Sequence, residues 1–223
     1  MNIVITGTSR GIGLELTREA LTRGHKVLAV ARQPGDSEGL SHLKSQYPAQ
    51  LLTAAVELTD PECGDKVAAA IHDWRSVDRL INNAGVYAKG EAVEDFLKSF
   101  HVNSVVPFLI TKALLGKLRQ GQSPKVVQIT SLMGSIADNT SGGSYAYRAS
   151  KAALNMINKG LAVENNWLTT VVMHPGWVKT AMGGAGAPME ASQSAHGLWA
   201  VIEGLKEKNS GHFYDFQGRE LPW

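Results

Sequence analysis

The sequence predicts an α/β fold in which helices cover both faces of a doubly wound, mainly parallel sheet. Three observations carry this. Short β-branched apolar runs alternate with stretches of helical period along the chain, the pattern that places crossover helices between parallel strands. The first repeat of that alternation is complete: the run Asn2–Ile5, a glycine turn, the periodic stretch Leu14–Leu21 and a second strand from His25 to Ala31. Such a βαβ unit is expected to be right-handed. Later strands run into Asn, Gly or Pro turns, which suit the carboxyl edge of a sheet, where open α/β sheets bind ligands.

The bulk composition agrees. At 223 residues, 43% hydrophobic and 19% charged, one well-buried core and a single domain over 1–223 are expected. A net charge of +2 makes no case for nucleic acid or an anionic membrane as partner. A single cysteine, Cys63, excludes a disulfide framework, and the seven histidines show no paired metal spacing, so no metal is expected. Apolar periodicity from residue 3 leaves no room for a signal or transit peptide, and no apolar run has bilayer-spanning length. A cytoplasmic location is the expectation.

The turn after the first strand, Thr6-Gly7-Thr8-Ser9-Arg10-Gly11-Ile12-Gly13, is built for a phosphate. Glycines let backbone N–H groups close on a pyrophosphate at a helix N-terminus, where the dipole favours negative charge. The second strand ends in Arg32 with no acid at 31 or 32, and Arg10 lies in the glycine turn. A carboxylate there would hold a ribose 2′-hydroxyl, whereas guanidinium groups suit a 2′-phosphate. The pattern therefore favours NADP(H) over NAD(H). Asp36, beyond Pro34-Gly35, is too far along the loop to serve as that acid.

A third strand is expected over Leu51–Leu58, then Asp60 as N-cap and Pro61 as first residue of a helix Glu62–Trp74. The fourth, Val77–Ile81, leads into Asn82-Asn83-Ala84-Gly85. A long helix from about Ala92 to Arg119 carries Asn103 on an otherwise apolar face, where a polar side chain requires a partner. Strand five, Val126–Thr130, is followed by Ser131, and strand six, Leu168–His174, by Pro175-Gly176-Trp177-Val178-Lys179-Thr180. A helix from about Ser192 to Lys206 and a short strand His212–Phe216 complete the pattern.

Between strands five and six lies Tyr147-Arg148-Ala149-Ser150-Lys151, opening an apolar helical run. Residues four apart share a helix face, so Tyr147 and Lys151 point the same way. An ammonium near a phenol favours phenolate and is expected to lower the tyrosine pKa, fitting it for proton exchange with a substrate oxygen. Tyr145 has Ala149 four residues on and lacks the lysine.

Taken in order, these motifs resemble those of the short-chain dehydrogenase/reductase family: Thr6-Gly-x-x-x-Gly-x-Gly13, Asn82-Asn-Ala-Gly85, Asn103, Ser131, Tyr147-x-x-x-Lys151 and Pro175-Gly176 with Thr180. The contexts Gly134-Ser135-Ile136, Tyr145–Asn155, His174–Thr180 and Leu221-Pro222-Trp223 are similar to its C-factor and sniffer-like carbonyl reductase branch. The resemblance implies a Rossmann-type sheet of seven strands in the order 3-2-1-4-5-6-7. It implies Tyr147 as general acid for carbonyl reduction, Lys151 as the residue that lowers its pKa and binds the nicotinamide ribose, and Ser131 as holder of the substrate oxygen. Asn103 would position a water linking Lys151 to solvent. Gly7, Thr8, Ser9, Arg10, Gly11, Ile12 and Gly13 would line the pyrophosphate and adenosine end, with Arg32, Asn83, Ala84 and Gly85 along the same path. Pro175, Val178 and Thr180 would meet the nicotinamide. Two positions depart from the family pattern: Glu57 stands where an adenine-contacting Asp is usual, carried here with Leu58, and Ala181 follows Thr180 where this branch often has Asp.

The implied activity is NADPH-dependent reduction of a ketone or aldehyde. Met133, Trp177, Met182 and Met189, with Tyr145 nearby, suggest an apolar, adaptable wall for a hydrophobic carbonyl substrate. The alternative is an NADP(H)-binding sensor or signalling protein with little turnover; a sugar-nucleotide epimerase on this fold would need a substrate domain the chain is too short to hold. The run Ala152–Val163 is apolar almost all round, which points to a helix buried against a partner, hence a homodimer or homotetramer.

Overall fold

The computed structural model describes residues 1–223. Strand β1 (Asn2–Thr6) leads through the glycine turn into helix α1 (Gly11–Thr22) and returns as β2 (Lys26–Ala31). Helix α2 (Glu38–Gln46) and β3 (Leu51–Ala55) follow, then α3 (Cys63–Ala69) and β4 (Arg79–Asn82). Helices α4 (Val93–Phe100) and α5 (Val106–Leu118) precede β5 (Lys125–Ile129), and α6 (Tyr145–Glu164) precedes β6 (Thr169–His174). Helix α7 (Ala191–Gly204) and the short β7 (Phe213–Asp215) close the order. The seven strands form one sheet, β3-β2-β1-β4-β5-β6-β7, and every pairing is parallel.

Side-chain alternation explains the layers. Ile3 and Ile5 enter one core with Val27, Ala29 and Ala31, packed under α1, α2 and α7. Val4 enters the opposite core with Leu28 and Val30, under α3 and α5. Period-two exposure of the two faces lets an all-apolar strand feed both layers. The strand ends then meet at one edge, and the loops that leave that edge carry the motifs.

The structure departs from the expected elements in several places. Strand three stops at Ala55, because only residues up to Ala55 pair with β2, so Glu57 and Leu58 lie in the following turn. The third helix begins at Cys63 and ends at Ala69; Asp60 caps the turn before it, accepting from the Glu62 N–H at 2.8 Å. The long helix 92–119 is interrupted by a π-helical turn over His101–Val105. Helix α2 was not expected; only Leu40 and Leu43 are buried on it, and Ser37 caps it by accepting from Leu40 N–H at 3.2 Å.

Candidate active site

The glycine turn is locked to the end of β4. The Thr6 hydroxyl oxygen accepts from the N–H groups of Asn83 and Ala84, both at 3.1 Å. The Asn83 amide donates back to the carbonyls of Thr6 at 2.9 Å and Gly7 at 3.1 Å. Gly7 sits at φ +70, and a Cβ there would lie 2.8 Å from Ala84 Cα. A Cβ at Gly13 would strike the Gly7 carbonyl and the Asn83 amide. Two glycines are therefore required by close approach, and the N-terminus of α1 opens onto the space they leave.

That space is the upper end of a groove of about 570 Å³ along the carboxyl edge of the sheet. Of the residues expected at a dinucleotide, Gly7, Ser9, Arg10, Gly11, Ile12, Gly13, Arg32, Glu57, Leu58, Asn83, Ala84, Gly85, Pro175 and Thr180 line it, as do Tyr147 and Lys151. Thr8 and Val178 do not: both are buried behind the wall, and the Thr8 hydroxyl donates to the Val30 carbonyl at 3.1 Å. Glu57 reaches the rim with its carboxylate accepting from the N–H (3.2 Å) and hydroxyl (3.0 Å) of Thr59. The cradle of bare backbone, the helix N-terminus and two guanidinium groups at one end fit a dinucleotide with a charged ribose.

At the other end stand the chemical groups. Tyr147 and Lys151 enter from the first turns of α6 and are only 7% and 4% exposed. The Lys151 ammonium donates to the Ile129 carbonyl at 2.9 Å and lies 5.8 Å from the Tyr147 ring centroid. Asn103 is brought beside it by the π turn. Its Oδ1 accepts from Val86 N–H at 2.8 Å, and its Nδ2 donates to the Val86 carbonyl at 2.9 Å and to Ser150 Oγ at 3.0 Å. The partner that Asn103 required is thus the backbone of Val86, with Ser150 next to the tyrosine: Ser150 Oγ donates to the Tyr147 carbonyl at 2.7 Å. Single π turns recur at functional sites because they re-aim one residue.

The expected acidification of Tyr147 by Lys151 is not what this geometry produces. Burial pushes the phenol up to about 12, opposed by hydrogen bonding with Ser131 and aided by Tyr87. Burial also pushes Lys151 down to about 8. The ammonium is aimed at a carbonyl, so desolvation dominates both groups. A phenol held protonated at neutral pH is nevertheless the form a proton donor needs.

Sequence reasoning missed Tyr87. Its ring meets Tyr147 edge-on, centroids 4.8 Å apart, and its hydroxyl pairs with Ser144 Oγ at 2.7 Å. Nothing in local spacing signals it, because the contact is made across the sheet edge. The expected apolar wall is half present. Met182 lines the groove, and Trp177 is 60% exposed with its indole N–H donating to the Gly183 carbonyl at 2.9 Å. Met189 is instead packed against Gly176, and Tyr145 is exposed.

A family model described as short chain dehydrogenase matches residues 1–191. The chain belongs to the short-chain dehydrogenase family. Among its relatives, the C-signal of Myxococcus xanthus is 47% identical over 154 residues, covering 66% of this chain and 93% of that protein. Carbonyl reductase Sniffer of D. melanogaster superposes with a TM-score of 0.94 at 31% identity, covering 100% of this chain and 99% of the other. An NADPH-bound carbonyl reductase from chicken fatty liver gives 0.92 at 29% identity, covering 100% and 98%. The glycine turn Gly7–Gly13 and the Tyr147–Lys151 segment both fall inside the matched residues.

Proposed function

We propose that this chain is an NADPH-dependent carbonyl reductase acting on a hydrophobic ketone or aldehyde. The observation that carries the reading is the pair Tyr147 and Lys151, buried on the wall of the groove whose far end holds the glycine cradle. In this reading the Gly7–Gly13 turn holds the pyrophosphate, Arg10 and Arg32 the 2′-phosphate, Pro175 and Thr180 the nicotinamide, and Lys151 its ribose. Bound NADPH supplies the hydride. Ser131 and Tyr147 hold the substrate oxygen, and the Tyr147 hydroxyl gives its proton to that oxygen as charge develops on it. Positioning of these two hydroxyls on a rigid helix and strand end is the chain's main contribution. Asn103 and Ser150 fix the helix start that presents Tyr147.

Met182, an exposed apolar group lining the groove, supports an apolar substrate. Met156 and Val163 of α6 and Val105 and Phe108 around the start of α5 are exposed apolar side chains as well, and we take them as surfaces of a homodimer or homotetramer. A single domain over 1–223 and a cytoplasmic location belong to the same proposal; no helix is long and apolar enough to cross a membrane.

The test is energy transfer from tryptophan to nicotinamide on separate titrations of NADPH and NADH, followed by NADPH oxidation with a panel of carbonyl compounds. The expected result is tighter NADPH binding, by roughly tenfold or more for a paired guanidinium–phosphate contact, and turnover with at least one apolar carbonyl. Binding without turnover across the panel would favour the sensing alternative.

A further inference from the structure

At the amino edge of the sheet, opposite the groove, lies a second crevice of about 420 Å³. Strand β4 begins there with Arg79 and β5 with Lys125, and the two are register partners on adjacent strands. Both side chains are buried, at 7% and 5% exposure. Arg79 is satisfied by backbone, its Nη1 donating to the carbonyls of Asp78 at 2.7 Å and Ser123 at 2.9 Å. Lys125 has no such company: its ammonium has no hydrogen-bond or ion-pair partner, and the charges that reach it are Arg79, which repels, and Glu203, which attracts. Glu203 is engaged by Arg23 at 3.2 Å. The nearby Asp78 carboxylate accepts from the N–H groups of Asn2 at 2.7 Å and Gln122 at 2.8 Å.

The Lys125 stem is buried while its ammonium reaches water in the crevice, with no protein acceptor and with a second cation, Arg79, beside it. Burial brings the Lys125 pKa down to about 8, which leaves it mainly charged at neutral pH. It points into the crevice, whose rim adds Lys206 and Lys208, whose floor adds Thr169, and whose side is the indole of Trp167. Arg119 stacks on that indole, 5.1 Å from its ring centroid. Glu207 is the one carboxylate in the lining.

We propose that this crevice binds a small oxyanion, a phosphate or carboxylate group, with the Lys125 ammonium as the counter-charge at its base and Lys206 and Lys208 closing over it. The anion supplies what the chain itself does not, an acceptor for three ammonium donors. The site is distinct from the groove, since Lys125 opens the strand whose last residue, Ile129, lines the groove. At ~3.3 Å per residue the two lie roughly 13 Å apart.

The test uses the full chain saturated with NADPH, so that Arg10 and Arg32 are not open to the added anion. Melting temperature is followed on titration with inorganic phosphate and, separately, with acetate, ionic strength being held with sodium chloride. The expected result is a saturable rise with at least one anion, roughly 3–6 °C at ten times its Kd, abolished in Lys125→Met. Phosphate alone would mark a tetrahedral group, and both anions the shared oxyanion chemistry. Should Lys125→Met fail to fold, the exposed pair Lys206→Ala and Lys208→Ala in one variant decides, with a Kd expected to rise roughly tenfold. The same rise in Lys125→Met as in the wild type, no saturable rise with either anion, or an unchanged Kd in the double variant would overturn the proposal.

Discussion

Lys151 and Lys125 meet opposite ends of the same strand, and the contrast between them separates the two edges of the sheet. Burial pushes both ammonium groups down to about 8. At the carboxyl edge Lys151 is held by the Ile129 carbonyl, with Asn103, Tyr147 and Gly85 around it. At the amino edge Lys125 faces a cation across the register and has no acceptor. Burial therefore yields an enclosed, positioned group at one edge and, at the other, one whose ammonium meets only water. Partners at the carboxyl edge come from the loops that converge there after β1, β4, β5 and β6, which is the reason parallel sheets keep their chemistry on that side.

The largest expected effect breaks the carboxyl side of the contrast. Tyr147→Phe keeps the ring against Tyr87 and removes the proton, so kcat for carbonyl reduction is expected to fall roughly 10²–10⁴-fold while NADPH binding by fluorescence is unchanged. Near-full turnover would remove Tyr147 from its role.

A smaller effect sharpens it. If the Lys151 charge matters to turnover, the reduction rate declines as pH rises through about 8, where Lys151 gives up its proton. Lys151→Met is expected to lower kcat and to flatten that limb of the pH profile. A variant that is slow but keeps the limb would assign the titration to another group.

The smallest effect concerns stability. Both lysines have folded pKa values below their ordinary value, so below pH 8 they are charged in both states and the burial penalty is fully present. As pH rises from about 8 toward the ordinary lysine value, the unfolded chain holds more protons and stability is expected to increase. Lys125→Met should keep kcat within about twofold, remove part of that increase and raise stability at pH 7, since a partly desolvated cation beside Arg79 is lost. Urea denaturation at pH 7 and pH 9.5 measures both. A destabilised Lys125→Met at pH 7 would show that the lysine has an acceptor after all.

Much of the fold was legible because strand alternation is strict: Val4 between Ile3 and Ile5 announces a strand buried on both faces. The order of motifs carried the resemblance that assigns Tyr147, Lys151 and the glycine turn to one site. What sequence could not convey depended on three-dimensional surroundings. Val56 and Leu58 continue the apolar alternation past the last paired residue, so strand three looked longer than its ladder. Helix α2 offers two buried leucines in nine residues, too few to register a period. The tyrosine pKa turns on where the lysine head points, which spacing along a helix leaves open. Tyr87 meets its partner across the sheet edge, and Lys125 is one charge in a valine run, ordinary as text and anomalous only once buried.

The π turn at His101–Val105 has a consequence for chain length. Its closing hydrogen bond runs from Val106 N–H to the His101 carbonyl, one residue wider than an α turn. Deleting a single residue there would let the segment relax into regular helix and leave the two flanking helices close to their present phase, because a π turn absorbs one extra residue within a single turn. What would be lost is the aim of Asn103, which would swing off Val86. The surplus residue thus re-aims one side chain without disturbing α4 or α5, and insertions or deletions are expected to be tolerated in the loops beyond those two helices but not within these five positions.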